Sequence, residues 1–166
     1  MRWALALCVV AGCLICGRTI AAGARRRVNV LSELIQGIRG LRIHMLHMLE
    51  PTGRALEATD CPILRLTGEA MEPGISAMEG WQQTCAARNR WRCGIDALTR
   101  EDRQALDRFF IHLGESGREQ QGLLLDQTIQ KLEGFLTAAE SKASESEKLY
   151  GSLGLLLGLM LALIVV

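Results

Sequence analysis

The residues best able to do chemistry in this chain are its histidines and its six cysteines. His44 and His47 stand three apart, so on a helix they share a face, and with a nearby acid such a pair can hold a metal. The pattern stops there: no HExxH motif is present, no third ligand lies at a useful spacing, and Glu50 falls at the end of the segment. The default is therefore surface or interface histidines, and His112, alone beside Phe109 and Phe110, reads as structural. The cysteines form no disulfide framework. Cys8, Cys13 and Cys16 lie in an apolar run, which leaves an odd set of Cys61, Cys85 and Cys93 elsewhere. The stretch "CLIC" has C-x-x-C form but lacks the flanking fold a redox motif needs, so small apolar packing explains it better. Free thiols outside the run agree with a reducing, cytosolic setting. No GxxxxGK[ST] phosphate loop and no GxSxG nucleophile turn occurs. The residues thus give no catalytic group, metal or cofactor. A thiol or metal enzyme built on Cys61, Cys85, Cys93 and the histidines would be excluded by full function after their combined replacement.

The elements that would position these residues all read helical. Val28, Leu31, Leu34, Ile35, Ile38, Leu41, Met45, Leu46 and Leu49 recur at threes and fours, one apolar stripe on a helix that Pro51 ends. Gly37 and Gly40 interrupt it and mark a place where another helix comes close. Short helices follow, one carrying Leu56 and another, from Pro62, carrying Ile63, Leu66 and Met71, before a break at Pro73 and Gly74. Ser76 and Glu79 form a capping box for a helix with Met78, Trp81 and Cys85 on one side. After a basic turn around Trp91, Thr99 caps a helix bearing Leu106, Phe109, Phe110 and Leu113, and Gly114 stops it. Trp81 and Trp91 suit a packed core or interface better than a pocket. Ser116 and Glu119 repeat the capping pattern ahead of the longest helix, with Leu125, Ile129, Leu132, Leu136, Ala139 and Ala143 as its stripe. No strand, hairpin or repeat signal is seen.

Both ends of the chain are apolar. From Leu149 to Val166 no residue is charged, and as a helix the run is about 27 Å long, near the ~30 Å hydrocarbon core of a bilayer. It lacks the polar stripe of a core helix. No Pro follows Pro73, so the preceding helix is expected to run on into this segment. At the other end, "WALALCVVAGCLICG", Arg18 and "TIAAGA" lead to Arg25, Arg26 and Arg27. Three readings fit: a signal anchor, a secretory signal cleaved after Ala24, and a lipoprotein signal ending at Cys13. Basic residues after the apolar run, against Arg2 alone before it, favour the anchor. The expected organisation is an all-α helical bundle domain, 25–148, flanked by N-terminal (1–24) and C-terminal (149–166) transmembrane helices. The competing class is an exported, lipid-anchored or secreted helical protein with a membrane tail, and intact-mass measurement decides between them.

Charge is unevenly placed within a net +1. From Arg25 to Arg54 six arginines face Glu33 and Glu50, whereas from Glu115 to Lys148 seven acids face Arg118, Lys131, Lys142 and Lys148. The first and last helices therefore attract when packed antiparallel. Arginines beside a membrane are also drawn to anionic lipid. Aromatics are too few, and too little interleaved with basic residues, for a nucleic-acid surface. The exposed candidates for partner binding are the basic turn of Arg88, Arg90 and Arg92 and the cap region of Gly114, Ser116 and Gln121. Gly151, Gly154 and Gly158 share a helix face that permits close packing in lipid, against the first span or a second copy.

Several of these residues resemble the stage III sporulation protein AB family of endospore-forming bacteria. Members show L-G-x-S-D-x-x-x-Q before a long helix and then E-K-x-x-x-S-L-G. Leu113, Gly114, Ser116, Gln121, Glu147, Lys148, Ser152, Leu153 and Gly154 match. Gly117 stands where Asp is usual, which removes a helix-start carboxylate. Thr52 and Leu56 match a T-P-L-x-x-A-L turn, and Trp81 an A-W pair in which Gly80 replaces Ala. The resemblance implies a soluble domain like the helical cytoplasmic domain of type II secretion platform proteins. It also implies a place in the complex joining mother cell and forespore, in the mother-cell membrane with both termini opposite the cytosolic domain. A stage III sporulation protein AA-type ATPase would be the partner.

Overall fold

The computed structural model describes residues 22–71, 74–88, 92–115 and 117–149. The helices run in the order α1 (Arg2–Leu46), α2 (Thr52–Glu57), α3 (Pro62–Glu69), α4 (Ala77–Ala86), α5 (Arg100–His112) and α6 (Arg118–Val165), with a 3-10 turn at Ile95–Ala97. Among the described residues there is no strand. None of their helices is long and apolar enough to cross a membrane, and the expected spans, 1–24 and 149–166, fall almost wholly outside them. The chain divides into two compact units, residues 29–137 and residues 1–28 with 138–166.

In the larger unit the stripe of α1 is the core face its spacing predicts, with Leu31, Leu34, Ile35, Ile38 and Leu41 all buried. The stripe ends sooner than expected. Pro51 disfavours helical backbone at Glu50, so the chain must leave the helix earlier. The His47 and Met48 N–H groups both donate to Ile43 O, Glu50 N–H reaches back to His44 O, and Leu49 takes φ 58°. Met48 and Leu49 consequently stand exposed.

The short helices meet at backbone distance. A Cβ at Gly68 of α3 would lie 2.8 Å from Glu57 N and Gly53 O of α2, and one at Gly80 of α4 would lie 2.9 Å from Thr67 O. The expected close approach at Gly37 is present, since a Cβ there would collide with Cys61 Cβ, but Gly40 faces open space. In α3 the buried face is Ile63, Leu64, Thr67 and Gly68 rather than Ile63, Leu66 and Met71, because Gly68 must turn inward for α2 to approach. Two of the three expected caps form, and the third, Ser116 with Glu119, rests on Ser116, which lies outside the described residues. Ser76 and Glu79 close a capping box on α4, and Thr99 closes one on α5 with Asp102. Gly114 takes φ 88° after α5.

α6 buries Gln121, Leu125, Thr128 and Leu132, a three-and-four pattern in which Thr128 sends its hydroxyl to Leu124 O. α1 and α6 run antiparallel, and the charge asymmetry resolves into named pairs. Arg39 meets Glu133 at 2.6 Å and Arg42 meets Asp126 at 3.2 Å. In the smaller unit Arg25 meets Glu147 at 2.6 Å.

Candidate functional site

The turn from α5 into α6 carries most of the cap-region residues named from the sequence. Its backbone is shaped by the positive φ of Gly114, where a Cβ would also crowd Thr52 Oγ1 at 3.0 Å. Leu113 is buried, and Gln121 turns inward to donate its amide to His112 O at 3.0 Å. Arg118 reaches across to Leu46 O and ties the start of α6 to the end of α1. Ser116 lies outside the described residues.

Beside this turn is an open groove of about 410 Å³. Thr52 and Gly114 form one rim, Ser76, Ala77 and Met78 at the start of α4 another, and Met71, Phe110 and Ile111 the apolar wall. Among the described lining residues Glu115 is the charged one. Ile111 is 43% exposed, unusual for a side chain on an otherwise buried wall. Unbranched methionines adapt to irregular shapes, so Met71 and Met78 give the groove a pliable surface. Phe110 is fixed from behind. Trp81 stacks on it at 5.1 Å and 20°, and Phe109 packs edge-on from the other side at 5.1 Å. The Trp81 indole N–H donates to Asp107 Oδ1 at 2.6 Å, which satisfies the polar edge of a ring that is otherwise buried. The apolar part of this lining suits an apolar side chain or helix edge.

Of the groove residues, Gly114 alone was singled out by the sequence as a contact candidate. Met71, Met78 and Ile111 come from three separate segments, and only the fold brings them together. Arg88 and Arg92 are exposed on the turn after α4, while Arg90 and Trp91 lie outside the described residues, as do Gly151, Gly154 and Gly158.

His44 Nδ1 lies 3.0 Å from Glu50 Oε2, closing the end of α1, and His47 is exposed. Among the described residues no group of His, Cys, Asp and Glu is arranged to hold a metal. Cys61, Cys85 and Cys93 are free thiols. Burial pushes the Cys61 thiol up from its ordinary value, against hydrogen bonds from the Leu64 and Ile63 backbone. Burial likewise raises Cys93, with Arg65 opposing it. Both stay protonated at neutral pH, the opposite of what a thiolate nucleophile needs.

The family model for stage III sporulation protein AB matches residues 2–166. No curated protein and no solved structure matches the chain. The chain belongs to the stage III sporulation protein AB family, which implies a role in sporulation.

Proposed function

We propose that this member of the stage III sporulation protein AB family is a non-enzymatic membrane platform of the mother cell–forespore secretion-like complex. It sits in the mother-cell membrane, and its helical domain docks the AA-type secretion ATPase in the cytosol. One observation supports the docking role most directly. Thr52, Leu113 and Gly114, three of the residues that match the family pattern, meet on the rim of the groove walled by Met71, Met78, Phe110 and Ile111. The family-pattern residues Leu56 and Trp81 are fully buried and explained by packing. Gly114 also serves the turn itself, at φ 88° against Thr52, and the groove it borders is open to a partner.

The test uses the full chain in detergent micelles and the companion ATPase of the same organism. Saturable binding that Met78→Glu and Ile111→Glu each weaken at least ten-fold, with helical content unchanged, is the expected result. Binding that withstands both variants but is lost on Arg88→Glu with Arg92→Glu moves the contact to the basic turn. No binding by a folded chain sinks the ATPase-docking role.

A further inference from the structure

The two apolar runs of the sequence begin at one level of the molecule. Arg25 is the first charge after the stretch that ends at Ala24, and Glu147 stands two residues before the uncharged run from Leu149. Arg25 Nη2 donates to Glu147 Oε2 at 2.6 Å. α1 and α6 are each continuous through this contact. At about 1.5 Å rise per residue, the start of each run lies within about one helical turn of the bridge.

Cations gather at the same level: Arg25, Arg26 and Arg27 on α1 and Lys148 on α6, with Glu145 and Glu147 as the neighbouring acids. The Arg25 side chain stays 65% exposed despite its bridge, and a guanidinium has donors to spare beyond one carboxylate. Three consecutive helical residues step by about 100° each, so the arginines spread over roughly 200° of the circumference of α1. Arg25 and Arg26 are exposed and Arg27 is half-buried, so the cations are spread around the helix and not gathered on one face.

We propose that this level is a headgroup belt, where Arg25, Arg26, Arg27 and Lys148 hold the phosphates of anionic phospholipids in the leaflet on the domain's side. The inference rests on the membrane placement proposed above. Long arginine and lysine stems lie along the apolar boundary while their heads reach the phosphates. Each cation near an anionic surface is worth about a five-fold preference, and the preference falls with salt.

The full chain is reconstituted into vesicles of phosphatidylcholine with a minority of phosphatidylglycerol, and the lipids it retains are counted by native mass spectrometry. Wild type is expected to enrich phosphatidylglycerol. Replacing all three arginines with Gln should erase most of that enrichment, Lys148→Gln should lower it about five-fold, and the all-Lys triple variant should keep it. Arg65→Gln, at a cation of α3 far along the chain, should leave it unchanged. Equal retention of both lipids by a chain that resists carbonate extraction overturns the belt alone, whereas release by carbonate overturns the membrane placement with it. A loss with Arg65→Gln equal to that of the triple Gln variant shows only net charge and overturns the belt. Abolition by inorganic phosphate, but not by chloride of equal ionic strength, assigns a free-anion site instead.

Discussion

Around Trp81 the short helices approach until backbone meets backbone, with no side chain between Gly68 and α2 or between Gly80 and Thr67. Along α1 and α6, Arg39 with Glu133 and Arg42 with Asp126 join the helices through side chains that remain roughly half exposed. The first arrangement is intolerant. Its contacts are short, dry and set by shape, so a single added methyl has nowhere to go. The second is permissive, because exposed ion pairs contribute little and can re-form with neighbouring charges. A groove backed by the first kind of region has a firm wall, and in the second the register is held by the buried apolar stripes beneath the ion pairs.

The largest test of this contrast is Trp81→Ala. It removes the stack on Phe110 and strands Asp107, and it should cost about 3–5 kcal/mol in urea unfolding of the full chain. A loss under about 1 kcal/mol would show that the short-helix cluster is not held by its aromatic centre. Gly80→Ala adds a Cβ to the contact between α4 and α3. Here a Cβ lies 2.9 Å from both Thr67 O and Met71 Cγ, so the substitution should destabilise by about 1–3 kcal/mol. The matching change at Gly40, whose Cβ would meet nothing within 4 Å, should instead stabilise α1 by about 0.5–1 kcal/mol. Opposite signs at two helix glycines sharpen the comparison; the same sign would erase it.

The two glycines of the α1 stripe show what was legible in the sequence. Gly37 and Gly40 looked alike as breaks in a helical stripe, yet a Cβ at the first would meet Cys61 and one at the second would meet nothing within 4 Å. Spacing reveals the stripe but not which side of it a neighbour occupies. Local signals read best, because caps and stops depend on residues three or four apart: Ser76 with Glu79, Thr99 with its first-turn acids, Gly114 after α5. The end of α1 was half legible, since Pro51 announced a stop while the apolar spacing of Leu49 pointed inward. The candidate groove was not legible. Met71 and Met78 stand either side of a chain break signal and Ile111 in a later helix, and each alone is an ordinary apolar residue. The charge asymmetry predicted attraction between the first and last helices, but the partner of each arginine needed the antiparallel register.

Thr99→Ala tests a cap inside the packed region. It removes the acceptor of Asp102 N–H and half of a capping box whose Asp102 is fully buried, so a loss of about 1 kcal/mol is expected in thermal unfolding. The fully buried Asp102 carboxylate keeps its bond from Thr99 N–H, which limits the damage.

The smallest effect belongs to the ion pairs. Arg39→Ala, Glu133→Ala and the double variant form a cycle whose coupling should be about 0.2–1 kcal/mol at low salt. Both side chains are near half exposure, so water already screens the charges and the geometry must be won against side-chain entropy. At 1 M salt the screening length shrinks to about 3 Å, close to the length of the bridge itself, and the coupling should fall towards zero. Trp81→Ala should cost the same at both salt concentrations. A coupling above about 2 kcal/mol that survives salt would mean the α1–α6 bridge behaves as a buried pair. The distinction between a shape-held cluster and a charge-zipped helix pair would then fail at its weaker end.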